Sequence, residues 1–97
     1  MIELDCLETV EGSTGDHDLV LFALSTCPHC RRARDFLGTN DLTYRFVYLD
    51  QLKGDEQKEV LEITDRFNPR RSFPTLVIDD EGVLVGFSET DWKARLL

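Results

Sequence analysis

No stretch of this 97-residue sequence approaches the ~20 consecutive apolar residues that a bilayer-spanning helix needs. The opening Met1-Ile2-Glu3-Leu4-Asp5-Cys6 also lacks the basic and apolar regions of a secretory signal. No membrane partner is therefore expected, and a cytoplasmic location is. Positive charge is in deficit: 11 Lys and Arg stand against 19 Asp and Glu, a net charge of −8, which argues against nucleic acid as a partner. Internal repeats and low-complexity tracts are missing too, and 97 residues hold one core, so a single domain over 1–97 and a monomer are expected. Cysteine is scarce, with three in the chain. In a reducing compartment a structural disulfide is not expected, so a close pair of cysteines either cycles between thiol and disulfide or binds metal.

What is present centres on Cys27-Pro28-His29-Cys30, set between an apolar run at 19–24 and the helix-like stretch that follows. Two thiols at this spacing, opening a helix after a buried strand, make a dithiol/disulfide switch. The first sulfur stands where free N–H groups and the helix dipole favour a thiolate; the second lies almost one turn on, near enough to bridge. Five of the eleven basic residues, Arg31, Arg32, Arg34, Arg70 and Arg71, fall near this motif or just before Pro74. They are either solvated surface residues or a lure for an anionic thiol compound or acidic partner.

Taken in order, Ile2, Leu4 and Cys6 alternate weakly before a turn at 11–16. Residues 1–18 are thus an N-terminal extension with room for an extra edge strand paired with the next one. The run 19–24 is continuous and apolar, as a strand buried on both faces should be. Pro28 suits the first helical position, with Thr26 or Cys27 as cap, and Cys30, Ala33 and Leu37 recur on one face of a helix ending near Gly38. A second strand at 42–49, a loop at 50–54 and an amphipathic helix at 55–67 precede Asn68-Pro69. Strands at 74–78 and 83–86 form a hairpin across Asp79-Asp80-Glu81-Gly82, and a last helix at 89–97 is capped by Ser88, with Trp92, Leu96 and Leu97 inward. This order predicts an α/β, thioredoxin-like fold: a mixed central sheet, parallel βαβ plus antiparallel hairpin, flanked by three helices.

With the order in place, the chain resembles the glutaredoxins over residues 19–97. The resemblance is carried by Cys27-Pro28-His29-Cys30, by Ser72-Phe73-Pro74 where the family has a Thr-Val-Pro-like segment, and by Gly86-Phe87-Ser88 where it has a Gly-Gly turn. It implies a dithiol/disulfide oxidoreductase with Cys27 as exposed nucleophile, Cys30 as resolving thiol and Pro74 as a cis residue facing them. A trans proline that simply begins a strand is the other reading of Pro74. A cis bond would turn the Phe73 carbonyl and N–H outward to pair with an extended peptide or glutathione. Arg71, Phe73, Phe87 and Ser88 are the implied substrate contacts. A cationic His29 would stabilise the Cys27 thiolate and raise the reduction potential; otherwise it is a solvated loop residue. Cys-Pro-His-Cys is also similar to the motif of strongly oxidising periplasmic thiol oxidases, but the signal peptide and the room for an inserted helical domain are missing.

No tightly bound cofactor is implied. Glutathione-using relatives usually carry Lys or Arg where this chain has Leu24, and Gly86-Phe87 resembles redoxins reduced by thioredoxin reductase that serve ribonucleotide reductase. Glutathione and thioredoxin reductase thus both stand as external donors, and protein or small-molecule disulfides as substrates. Three other readings remain: zinc held by Cys27, Cys30, Cys6 and His17, an iron–sulfur cluster bridging two protomers through Cys27 and glutathione, and a non-catalytic peptide-binding adaptor. Cys6 reads as a small apolar core residue or a regulatory thiol.

Overall fold

Five strands and three α-helices alternate in the computed structural model, which describes residues 2–97. They are β1 (Glu8–Val10), β2 (Leu19–Ala23), α1 (Pro28–Thr39), β3 (Tyr44–Tyr48), α2 (Gly54–Phe67), β4 (Thr75–Ile78), β5 (Gly82–Val85) and α3 (Glu89–Leu96), with a short 3-10 turn at Leu49–Gln51. The sheet order is β1-β3-β2-β4-β5. β2 runs parallel to β3, with Val20 opposite Arg45, and antiparallel to β4, with Phe22 opposite Thr75. Lying at the centre with neighbours on both sides, β2 has all five residues buried, which is why its sequence is apolar without alternation.

The pleat then sorts its side chains into two cores. Leu19, Leu21 and Ala23 meet Cys30, Ala33, Phe36 and Leu37 of α1 and Trp92 and Leu96 of α3. Val20 and Phe22 point the other way and meet Val60 of α2. Helices thus cover both faces, and each fully buried large apolar side chain contributes about 1.5–3 kcal/mol of transfer free energy. This is a thioredoxin-like fold.

Two expectations need correction. The N-terminal strand is confined to Glu8–Val10, and it pairs antiparallel with β3, Glu8 opposite Phe46, rather than with the strand that follows it. Both edges of β2 are already taken by β3 and β4, so the outer edge of β3 is where this strand can join. Arg45 then ties the extension down, donating to the Ile2 carbonyl at 2.9 Å and to Asp18 at 2.9 Å. At the other end, Leu97 lies beyond α3 and is 66% exposed, while Trp92 and Leu96 are buried. The hairpin turn forms through Asp79 and Asp80, both left-handed at φ 53° and 60°, a pair that matches the twist of β4 and β5. No helix among the described residues is long and apolar enough to cross a membrane.

Candidate active site

Cys27 is placed by the end of β2. The chain leaves the sheet after Ala23, and Cys27 becomes the N-cap of α1 at φ −91°, ψ 117°, with Pro28 as the first helical residue. A proline there forfeits no hydrogen bond, since the first helical N–H groups have no partner in the helix. The Cys30 N–H donates to the Cys27 sulfur at 3.3 Å, so the sulfur takes the place a capping oxygen usually holds. The loop before it is pinned from the 3-10 turn that follows β3: the Ser25 N–H donates to Asp50 at 2.9 Å, and the Ser25 hydroxyl donates to the other oxygen of the same carboxylate. Those two bonds hold the Asp50 carboxyl below the usual carboxylate range. The parallel pairing of β2 and β3 makes this contact, because it brings both C-terminal ends to one edge of the sheet.

The two thiols are unbridged and unlike. Cys27 is half-buried, whereas Cys30 is 1% exposed and packs with the α1 core. Burial pushes the Cys30 thiol up to about 12; a backbone hydrogen bond with Leu24 opposes that rise, and the Cys27 sulfur adds to it.

β4 supplies the facing wall. It is antiparallel to β2, so its start lies beside the end of β2, and the Phe73–Pro74 bond that leads into it is cis. Pro74 is buried, and the Phe73 carbonyl lies 4.0 Å from the Cys27 sulfur. Asn68 braces this segment from the end of α2, donating to the Ser72 carbonyl at 2.8 Å and to the Thr75 hydroxyl at 3.0 Å. The Gly86 N–H donates to the Pro74 carbonyl at 2.8 Å, which joins the Gly86 turn to the same wall.

Three other residues singled out in the sequence have structural partners. Arg71 pairs with Asp65 through two hydrogen bonds of 2.8 and 2.9 Å. Phe87 packs its ring on Phe36 and Trp92, with centroids 5.7 and 5.1 Å away. Ser88 caps α3 by accepting from the Asp91 N–H at 3.4 Å. His29 is exposed and makes no hydrogen bond or ion pair among the described residues. The zinc set is not assembled: Cys6 packs against the α2-side core, and His17 pairs with Asp79 before the start of β2, a full strand length from Cys27. Among the described residues no group of three or more His, Cys, Asp or Glu is placed to hold a metal ion.

One feature went unread in the sequence. A cavity of about 310 Å³ opens beside Cys27, lined by Arg31, Arg34 and Asp35 from α1 and by Tyr44 and Tyr48 from β3. The alternation of Tyr44, Phe46 and Tyr48 signalled a common strand face, but which helix that face would meet depended on the crossover.

Comparison with known proteins fits this geometry. A family model described as Glutaredoxin matches residues 19–83. A comparison with curated proteins finds no match. Among solved structures, a glutaredoxin from Methanosarcina mazei Go1 is 36% identical with a TM-score of 0.84, over 95% of this chain and 88% of that one. Methanoredoxin from Methanosarcina acetivorans is 32% identical at TM-score 0.83, over 88% of each chain. A glutaredoxin from Archaeoglobus fulgidus is 30% identical at TM-score 0.74, over 81% of this chain and 85% of that one.

Proposed function

This chain belongs to the glutaredoxin family and is a thiol–disulfide oxidoreductase, and from that premise we propose that Cys27 and Cys30 form its working couple. The Cys27 thiolate attacks one sulfur of a substrate disulfide. That S–S bond breaks, one substrate thiolate leaves, and a mixed disulfide forms on Cys27. Cys30 then gives up its proton and attacks the Cys27 sulfur, which releases the second substrate thiol and closes the Cys27–Cys30 bond. Two electrons pass to the substrate, and an external reductant returns them.

The observation that carries this reading is the unequal pair: a half-exposed sulfur at a helix N-cap, 3.3 Å from the Cys30 N–H, over a buried partner. Negative charge on Cys27 is favoured by that N–H and by the helix dipole. Pro28 starts the helix in the correct place, and the exposed His29 adds positive charge near the sulfur when protonated. The backbone at Phe73 and cis Pro74 offers an edge along which an extended substrate can lie. In this reading 1–97 acts as one monomeric domain, in the reducing cytoplasm, with no resident cofactor. It reduces protein or small-molecule disulfides, ribonucleotide reductase being one type of protein client. Glutathione and thioredoxin reductase are the two donors to compare.

The test is direct. Cys30→Ser is expected to accumulate a mixed disulfide on Cys27 that intact-mass analysis detects, and Cys27→Ser to abolish exchange. Turnover that survives Cys27→Ser would overturn the assignment. Oxidised protein supplied with glutathione and its reductase, or with thioredoxin reductase, distinguishes the donors by NADPH consumption.

A further inference from the structure

The loop that carries Phe73 to its place beside Cys27 is held from inside by one asparagine. Asn68 follows α2 and is 4% exposed. Its backbone N–H donates to the Thr64 carbonyl at 2.8 Å, and its carbonyl accepts from the Arg71 N–H at 3.1 Å. The side-chain amide reaches further along the loop, donating to the Ser72 carbonyl at 2.8 Å, the Thr75 hydroxyl at 3.0 Å and the Ser72 hydroxyl at 3.2 Å. Burying an amide is costly unless it is bonded, and here its two N–H groups meet three oxygens.

The acceptors fix the direction of these bonds. A carbonyl only accepts, so the Asn68 atom facing Ser72 is the amide nitrogen. The fully buried Thr75 hydroxyl donates its proton to the same Ser72 carbonyl at 2.8 Å, which turns its lone pairs to Asn68. Two buried groups thus draw the Ser72 carbonyl inward. Across the trans Ser72–Phe73 peptide the carbonyl and the following N–H point opposite ways, so the Phe73 N–H is held outward. It has no hydrogen-bond partner among the described residues, and the Phe73 carbonyl lies 4.0 Å from the Cys27 sulfur. One residue beside the sulfur therefore presents a donor and an acceptor, the two groups a directly opposed residue of an extended chain pairs with.

We propose that Asn68 is a positioning residue that makes exchange selective for disulfides carried on extended peptide. By anchoring the Ser72 carbonyl it holds the Phe73 N–H and carbonyl where a substrate main chain pairs with both while its sulfur meets Cys27. This role rests on Phe73 being the substrate edge, as proposed above. A compact disulfide has no main chain to pair, so its exchange draws nothing from that edge. In the step itself, the Cys27 thiolate attacks RS–SR, the S–S bond breaks, RS⁻ leaves, and Cys27–S–SR remains, with R the peptide.

Two neutral disulfides test it on the reduced Cys30→Ser protein, which stops at the mixed disulfide: the symmetrical disulfide of a blocked pentapeptide with cysteine at its centre, and bis(2-hydroxyethyl) disulfide. Adduct formation is followed by quenched intact-mass analysis, and each rate is referred to that of 2-mercaptoethanol with the same disulfide. With Asn68 in place the peptide is expected to react roughly fivefold or more faster, as one or two added hydrogen bonds allow. Asn68→Ala, and Thr75→Val, which keeps the shape but loses the hydroxyl, should each lower the peptide-to-hydroxyethyl ratio roughly threefold to tenfold, the effect of about one hydrogen bond. Asn40→Ala, which removes an asparagine bond at the end of α1 instead, should keep it. A ratio unmoved by both Asn68→Ala and Thr75→Val, or peptide and hydroxyethyl rates that fall together, would overturn the role of Asn68 and leave the Phe73 edge standing. No preference for the peptide before either substitution would overturn both.

Discussion

The Phe73 carbonyl lies 4.0 Å from the Cys27 sulfur, although the two residues are 46 positions apart in the chain. That contact exists because β4 runs antiparallel to β2, which sets the start of one beside the end of the other. A substrate bound along Phe73 would therefore present its sulfur to Cys27 and not to Cys30, which lies beneath.

Thiol reactivity should follow this burial. With Cys30 pushed up to about 12 by burial, it stays almost wholly a thiol at pH 8. The Cys6 thiol is raised as well, first by burial and then by Glu56. Limiting iodoacetamide at pH 8 is expected to label Cys27 ahead of both, as read by peptide mapping; Cys30 or Cys6 labelled first would contradict it.

The same shift gives the reduced protein an alkaline weakness. An unfolded cysteine loses its proton near 9.0, whereas folded Cys30 keeps its proton to about 12. Between those values the native state binds more protons than the unfolded state, so stability falls as pH rises. Denaturant midpoints of the reduced protein should drop from pH 8 to pH 10.5, and a Cys30→Ala background should flatten that drop.

On the acid side the sign reverses. Asp50 is lowered by its bonds from Ser25, Asp65 by Arg71, and Asp79 by the Asp18 N–H and His17. Each contributes stability that is present above the usual value of 3.8 and lost as pH falls through the depressed one. Asp50→Ala should leave the fold intact but speed hydrogen exchange at the Ser25 amide, the group it releases beside the cysteine loop. An unchanged exchange rate would show that Asp50 does not hold that loop.

Trp92 should be the most costly single truncation in α3. It is 1% exposed, meets Phe36 edge-on at 6.1 Å, and donates its indole N–H to the Gly86 carbonyl at 3.0 Å. Trp92→Ala is expected to cost about 3–5 kcal/mol in urea unfolding followed by circular dichroism. Trp92→Phe, which keeps a ring but leaves that carbonyl without its donor, should cost about 1–3 kcal/mol.

Gly12 tests the docking of the N-terminal extension. A Cβ there would collide with the Asp41 carbonyl, which is backbone and cannot swing aside. Gly12→Ala should cost about 1–3 kcal/mol while leaving the rate of Cys27 alkylation unchanged. A parallel loss of Cys27 reactivity would mean that the extension supports the site directly.

Much of the framework is local and was legible in the chain itself. The unbroken apolar run of β2, the proline at the first position of α1, the Cys30-Ala33-Leu37 face, the hairpin at Asp79-Asp80 and the Ser88 cap each follow from chemistry within a few residues. Their order then led to the sheet, because a βαβ crossover has one hand and a short turn forces antiparallel neighbours.

What only the tertiary structure decided are contacts that depend on which edge is free and which faces meet. Local alternation marked a strand near the N-terminus, but its partner became β3 because β4 had taken the remaining edge of β2. Phe87 stands in a ring cluster with Phe36 and Trp92 because α3 packs back against α1, a neighbourhood set by two helices far apart in the chain. Arg34, Tyr44 and Tyr48 carried no joint signal, since they sit on different elements and meet only when α1 packs over β3. The spacing of the two cysteines left redox cycling and metal binding both open, and the arginines after them were visible in the chain; which side chains Arg34 meets had to wait for packing, because neighbours across a sheet are set by register and not by sequence.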